Sequence, residues 1–472
     1  MKILFSYIIA IFAFCTSIAS QNNKPIRPEG DHRPPSVFNT SVPAHLFDIV
    51  LARPTDNSLT LSLLFYKNTA VKIEYWQANE NKKHAVSANC VADKPECVVL
   101  SDLKPDAKYY YTIRTASGDL LTAEPYHFFT AKKSIIPFTF TITADSHLDE
   151  NADTEVYKTT LLNAAGDSAD FHFDLGDTFM TDKYRENYRN ALNQYIAQRF
   201  YLGLLCKSAP LFFVQGNHDG ETGQRLNGTE NNMTVWSNLT RKTYFPNPVP
   251  DNFYTGNTDE NKFCGKIQNY YAFNWGNALF VVLDPFWYTP RSGMDNPWDR
   301  TLGKQQYDWM KTTLESSKAR FKFVFIHNLV GGADLKGKAR GGTEVAGLYE
   351  WGGKNPDGTK GFKSHRPDWE MPIHQLLVKN NVTAVFHGHD HIFAKQELDG
   401  IVYQCLSQPG AKERGNTRNG EEYGYVTGEI RNAPGYMRVK VASDKATFEF
   451  VETNIRDIAN NKSILFQYQI KK

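Results

Sequence analysis

From residue 135 onward the chain alternates short apolar runs with amphipathic stretches. The runs at 136–143, 171–173, 210–214, 278–283, 321–326 and 382–386 are rich in Phe, Val and Ile and too short for helices, so they read as buried strands. Between several of them, apolar residues recur at helical spacing over about 153–165, 183–206, 304–317 and 369–379. Residues 135–472 are therefore expected to form an α/β domain, its helices covering a sheet. Two long polar, turn-rich stretches, 221–270 and 330–368, interrupt this pattern and are expected to be loop excursions. The runs at 436–441 and 446–451 look like closing antiparallel strands. Residues 45–131 differ in character. Short β-type runs at 59–65, 71–76, 97–100 and 108–114 are separated by turn clusters with no helical stretch, which predicts a separate all-β sandwich.

The first 20 residues follow a third pattern. Lys2 precedes an apolar run from Ile3 to Phe14, then Thr16-Ser17-Ile18-Ala19-Ser20, then polar Gln21-Asn22-Asn23-Lys24. This is the layout of a secretory signal peptide, cleaved after Ala19 or Ser20; its apolar core is short for a membrane span. The bulky Phe12-Ala13-Phe14 before Cys15 disfavours lipoprotein processing at that cysteine. Residues 21–44, rich in Pro, Asn and charge, read as a linker. The chain is thus expected to be secreted or periplasmic, with no later transmembrane segment.

Composition narrows the class. At 472 residues, 41% hydrophobic and 13% aromatic, the chain can bury a large core. Its formal net charge of +2 gives no sign of a nucleic-acid-binding surface. In an oxidising compartment Cys90 and Cys97 could close a hairpin across Asp93-Lys94-Pro95. No Cys-x-x-Cys pair occurs, so the cysteines are not expected to bind metal.

The chemistry lies just after the strands. The first ends at Ala144-Asp145-Ser146-His147, the second at Asp174-Leu175-Gly176-Asp177, the third at Gly216-Asn217-His218-Asp219, a later one at His327, and the last at His387-Gly388-His389-Asp390-His391. Ligands of open α/β sheets sit beyond the carboxyl ends of strands, so these residues should converge on one place. Carboxylate oxygen and imidazole nitrogen are what zinc, iron and manganese accept. One carboxylate can bridge two such ions, and Asp177, after a glycine that lets the chain turn, is the natural bridge.

The five blocks Asp-x-His, Gly-Asp, Gly-Asn-His-Asp, a lone His and Gly-His-x-His, in this order, resemble the calcineurin-like metallophosphoesterases. The resemblance covers about residues 135–450 and implies a β-sandwich flanked by helices. Segment 100–111, with Leu103-Lys104-Pro105 before an aromatic strand, resembles a corner of a fibronectin type III domain. With such a domain in front, the architecture looks like that of purple acid phosphatases. The likeness implies two divalent or trivalent metal ions (Zn, Fe or Mn). One takes Asp145, His147, Asp177 and His391; the other takes Asp177, Asn217, His327 and His389. It further implies that His218 protonates the leaving oxygen, oriented by Asp219.

There are two departures from the purple subgroup. Met180 stands where that subgroup has its iron-colouring tyrosine, and Asn328 follows His327 where a second histidine is common. The subgroup's iron chemistry and acid optimum are therefore not carried over. Asp174 and His387 read as hydrogen-bonding or packing residues behind the ligands. The stretch Arg340-Gly341-Gly342-Thr343-Glu344 through Tyr349-Glu350-Trp351-Gly352-Gly353 is a candidate substrate-facing lid, and Trp369 is expected to begin a packed helix. The expected activity is hydrolysis of a small-molecule phosphate monoester. A phosphodiesterase of nucleotides or lipid head groups is the alternative within this chemistry, and a surface binding protein with an inert phosphoesterase domain the alternative outside it.

Overall fold

A computed structural model describes residues 38–331 and 340–472. The leader, and all of the linker before Phe38, lie outside the described residues. The strand-rich first part contains β1 (Phe47–Ala52), β2 (Leu59–Phe65), β3 (Thr69–Gln77), β4 (His84–Cys90), β5 (Glu96–Leu100), β6 (Lys108–Thr115) and β7 (Tyr126–Phe129). β8 (Phe138–Thr143), β9 (Phe171–Asp174) and β10 (Leu211–Phe213) follow, and then β11 (Thr255–Gly256), β12 (Tyr271–Trp275), β13 (Ala278–Val282), β14 (Phe321–Phe325), β15 (Ala384–His387), β16 (Phe393–Leu398) and β17 (Ile401–Cys405). The chain closes with β18 (Glu429–Arg431), β19 (Gly435–Val441), β20 (Lys445–Glu452) and β21 (Ile464–Lys471).

Three sheets organise these strands. The first runs β21-β20-β19-β8-β9-β10-β1-β2-β5, the second β11-β12-β13-β14-β15-β17-β16-β18, and the third β4-β3-β6-β7. The first sheet therefore crosses the boundary expected near residue 131: β1 pairs in parallel with β10, Ala52 opposite Leu211. Ser36–Lys472 form one compact unit.

Period-two alternation explains the layers. In β8, Phe138, Phe140 and Ile142 enter a core shared with Phe280, Phe323, Phe325 and Phe386 of the second sheet. Rings of Phe173 and Phe325 stack across that core at 3.9 Å. The opposite face of the first sheet packs on helices α1 (Thr154–Ala165) and α2 (Leu192–Cys206) through Tyr157, Leu161, Tyr195 and Leu202. The far face of the second sheet packs on α4 (Lys304–Ser316) and α5 (Ile373–Lys379) through Tyr307, Met310, Leu314, Ile373 and Leu377; α3 (Met233–Tyr244) lies between α2 and α4 in the chain. A sandwich flanked by helices is the result. Among residues 45–131, β1, β2 and β5 close a second sandwich with the third sheet, around Leu51, Leu61, Leu63, Ile73, Tyr111 and Ile113.

Several local expectations are corrected. Residues 183–206 do not form one helix: a 3₁₀ stretch with non-helical backbone at Arg185 and Asn187 precedes α2, because Lys183–Asn190 offers no apolar stripe beyond two tyrosines. Trp369 does not begin a helix. Pro372 stands at the N-terminus of α5, and Trp369 stacks on Tyr307 at 4.1 Å from the preceding loop. The stretch 221–270 is not wholly loop, since Asn232 caps α3 by accepting the Val235 N–H. Cys90 and Cys97 are free thiols, one buried in the sandwich core and the other exposed. They stand in different sheets, so the segment between them is a crossing and not a hairpin. Among the described residues no helix is long and apolar enough to cross a membrane.

Candidate metal centre

β8, β9 and β10 run parallel in the first sheet, and β14 and β15 run parallel in the second. Their carboxyl ends meet over the aromatic core, and the loops beyond them are stitched together. Asp145 N–H donates to Gly176 O (2.9 Å), His147 N–H to Asp177 O (3.1 Å), and Gly388 N–H to His327 O (2.9 Å). His389 N–H donates to Asp145 Oδ2 at 2.8 Å, over 244 residues of sequence.

Two groups of side chains result, each with its coordinating atoms within 4.8 Å of one another: Asp145, His147, Asp177 and His391, and Asp177, His327 and His389. Asp177 belongs to both, and Asn217 adjoins the second, with Oδ1 3.0 Å from His327 Nε2. The strand ends thus bring all seven expected ligands together.

The donor chemistry fits metal ions. His327 Nδ1 lies 2.8 Å from Leu175 O, a carbonyl that can only accept, so Nδ1 carries the proton. In the neutral ring Nε2 then turns a lone pair toward Asn217 Oδ1 and toward Asp177 Oδ2 at 3.3 Å. Three acceptors facing one another repel unless a proton or cation lies among them. Asp145 Oδ1, His147 Nε2 and His389 Nε2 are buried with no hydrogen-bond partner. Such orphaned atoms are costly in a folded protein and are what a bound ion satisfies. Burial opposes charge on His327, but Asp177 and Asp145 outweigh it and raise its pKa to about 10. The carboxylates demand positive charge at this point, and a cation can supply it in place of the proton.

Backbone conformation aims the candidate ligands. Asp145, His147, Asp177, His389 and His391 all have φ between 54° and 70°, in the left-handed region that non-glycine residues seldom adopt. Each such residue costs about 1 kcal/mol or more, so the surrounding bonds must hold them. Asp219 does much of this: its two oxygens accept N–H groups from Gly216, Asp177, Thr178 and Phe179 at 2.8–3.1 Å. Asp174 Oδ1 accepts from Gly176 N–H and the Thr178 hydroxyl, fixing the turn before Asp177. At Gly388, a Cβ would stand 2.5 Å from Asp145 Oδ2, so the glycine makes room for that carboxylate.

The partner expected for His218 is corrected. Its Nδ1 lies 2.9 Å from both oxygens of Asp182, and Asp219 is engaged elsewhere, with the backbone that carries Asp177. Burial lowers the His218 pKa, but Asp182 and Asp177 outweigh it and raise it. His218 Nε2 stands 4.0 Å from Asp177 Oδ2 and its side chain is 21% exposed, so it borders both ligands and solvent.

Sequence reasoning missed Asp182, and also Gln194 and Gln198 of α2. Gln194 Nε2 donates to His147 O at 2.6 Å, and Gln198 Nε2 donates to Ser146 Oγ and Thr178 O, each at 2.9 Å. Two glutamines four residues apart on the buried face of a helix were the available signal. His387 lies behind the ligands, grouped with Asp390 and Cys405. Most of the expected lid is core: Trp351 is buried and donates to Tyr403 Oη, and Glu350 pairs with Arg366. From that stretch, Arg340 lines the cavity beside the site. Met180 is buried and in the left-handed region at the start of the 3₁₀ stretch.

The cavity, about 430 Å³, is bordered by Asn217, His218, His389, Asn328 and Phe286. Comparison with known proteins agrees with this geometry. The family described as calcineurin-like phosphoesterase matches residues 138–393. Among solved structures, PhoD is similar with a TM-score of 0.60 and 14% identity, over 93% of this chain and 90% of PhoD. A purple acid phosphatase, PPD1 from yellow lupin (Lupinus luteus) seeds, is similar with a TM-score of 0.58 and 14% identity, over 90% of this chain and 74% of that one. At these identities the two structures speak for the fold alone. No curated protein sequence matches.

Proposed function

Since this chain belongs to the calcineurin-like phosphoesterase family, we propose that it is an exported two-metal hydrolase of phosphate monoesters. The carrying observation is the pair of acidic and imidazole groups that share Asp177 and leave three buried coordinating atoms unpartnered. Asp145, His147, Asp177 and His391 would hold one ion, and Asp177, Asn217, His327 and His389 the other. Zinc, iron and manganese all suit these nitrogen and oxygen donors. Bound there, two cations supply Lewis acidity and an activated water for in-line attack at phosphorus.

The chain's own residues do the rest. His218 holds a proton on Nε2 at the cavity edge and delivers it to the departing oxygen. Asp182 orients the ring by accepting from Nδ1–H and stabilises its charged form. Asp219 and Asp174 keep Asp177 in place between the two groups. Export rests on the leader-like residues 1–20.

The test is a panel of monoesters and diesters, assayed on chelated protein after zinc, manganese or iron is added back. Metal-dependent turnover favouring monoesters is expected. A preference for diesters would move the reading to a phosphodiesterase with the same site, and no turnover with any metal would move it to a binding protein.

A further inference from the structure

We propose that the cavity accepts a phosphate ester whose leaving group carries a second anion, a phosphate or a carboxylate, received by Arg225. The inference rests on the phosphoesterase reading and concerns the cationic side chains that line the cavity together with Asn217, His218 and His389. The wall includes Arg225, Arg300 and Arg340. Two other charged groups of the lining are answered within the protein: Asp182 by His218, and Arg340 by Asp390, with Nη1 3.6 Å from Oδ1. Arg340 Nη1 also donates to His389 O, which ties it to the ligand loop. Arg300 Nε donates to Gly293 O at 3.0 Å, which anchors that side chain on the wall. Arg225 is exposed at the end of a 3₁₀ turn (Gly223–Arg225) and has no ion-pair partner among the described residues.

The phosphoryl group under attack has the ions and His218 to meet its charge, so it leaves Arg225 unanswered. Pro285, Phe286 and Val330 form apolar walls, and such low-dielectric walls strengthen the attraction between a guanidinium and an anion in the same cavity. A second observation also points to a ligand. Asn328 is 5% exposed and lines the cavity; its amide N–H donates to Leu329 O, while Oδ1 is buried without a partner. That oxygen needs a donor, which a hydroxyl or N–H on the leaving group would provide.

The test uses α,ω-alkanediol bisphosphates with two to six carbons against ω-hydroxyalkyl monophosphates of the same lengths. In the metal-loaded protein, kcat/KM should favour the bisphosphate by about tenfold at the best length, the worth of one well-placed charge-assisted hydrogen bond. Arg225→Glu should bring the ratio to one or below. In parallel, non-hydrolysable alkane bisphosphonates and monophosphonates are compared by calorimetry. The binding ratio should follow the same length profile and collapse in the same variant. A ratio near one at every length, or a preference that survives Arg225→Glu, overturns the proposal. Failure of the phosphoesterase reading looks different: no ester turns over with any metal, whatever the calorimetry reports.

Discussion

The imidazole of His218 is held by Asp182, 36 residues before it, and not by the adjacent Asp219: Nδ1 lies 2.9 Å from each Asp182 carboxylate oxygen. Asp219 is fully buried and accepts four backbone N–H groups around Asp177. Two neighbouring acids therefore do different work, and their variants should separate. Asp182→Asn loses a charged hydrogen bond of about 1.5–3 kcal/mol and should slow turnover of alkyl phosphates roughly tenfold or more, with metal content unchanged. Asp219→Asn turns an amide N–H₂ toward backbone donors, and it should lower Tm and metal content together. Thermal melts, metal analysis and kcat on both variants check this; full turnover in Asp182→Asn would leave His218 without an orienting partner.

If His218 protonates the leaving oxygen, its loss matters most when that oxygen is basic. General-acid assistance contributes about 10²–10⁴-fold, so His218→Asn should slow alkyl phosphates by a factor in that range and nitrophenyl phosphate by distinctly less. The comparison is made where chemistry limits the rate. Equal losses on both substrates, with metals retained, would assign His218 to holding the phosphoryl group.

Asp177 belongs to both coordinating groups, so Asp177→Asn should lose most activity and at least one metal equivalent per chain. Metal analysis and turnover measured on the same preparation decide it. Two full equivalents with near-normal turnover would remove Asp177 as the shared ligand.

A pH effect is expected away from the site, at His172. This ring is fully buried, its nitrogens 2.9 and 3.0 Å from the hydroxyls of Thr141 and Thr143. Burial lowers its pKa from 6.5 to about 3, against a smaller upward pull from the Thr141 backbone. Between those values the unfolded chain takes up a proton that the folded chain refuses, so stability falls as pH falls through this window. The slope approaches about 1.4 kcal/mol per pH unit. His172→Gln should flatten the acid limb of stability measured by urea unfolding between pH 7 and 4.5. Parallel limbs for variant and parent would place the acid sensitivity in other groups.

The convergence of the candidate ligands was legible in the sequence because each strand delivers its Asp, His or Asn within four residues of its end: Asp145 and His147 after β8, Asp177 after β9, Asn217 after β10, His327 after β14, and His389 and His391 after β15. Parallel strands in open sheets bring such ends together, so local spacing carried the site. Helices α1 and α4 were legible for a similar reason, since the burial stripe of each, and the Asp153 cap of α1, lie within one segment. Contacts that join distant segments were not legible. Asp182 reaches His218 from the 3₁₀ stretch before α2, and Gln194 and Gln198 brace the loops after β8 and β9 because α2 packs on the first sheet. The left-handed backbone at five of the candidate ligands could not be read from residue type alone: Asp and His enter that region more readily than most residues, but bonds such as those to Asp219 hold them there. The union of β1 with β10 depends on a pairing across 159 residues, which no window of the sequence contains. Residue type and strand spacing determined what the site is made of. Tertiary packing decided which acid serves which histidine, because a carboxylate's role is set by the donors that reach it and those arrive from elsewhere in the chain.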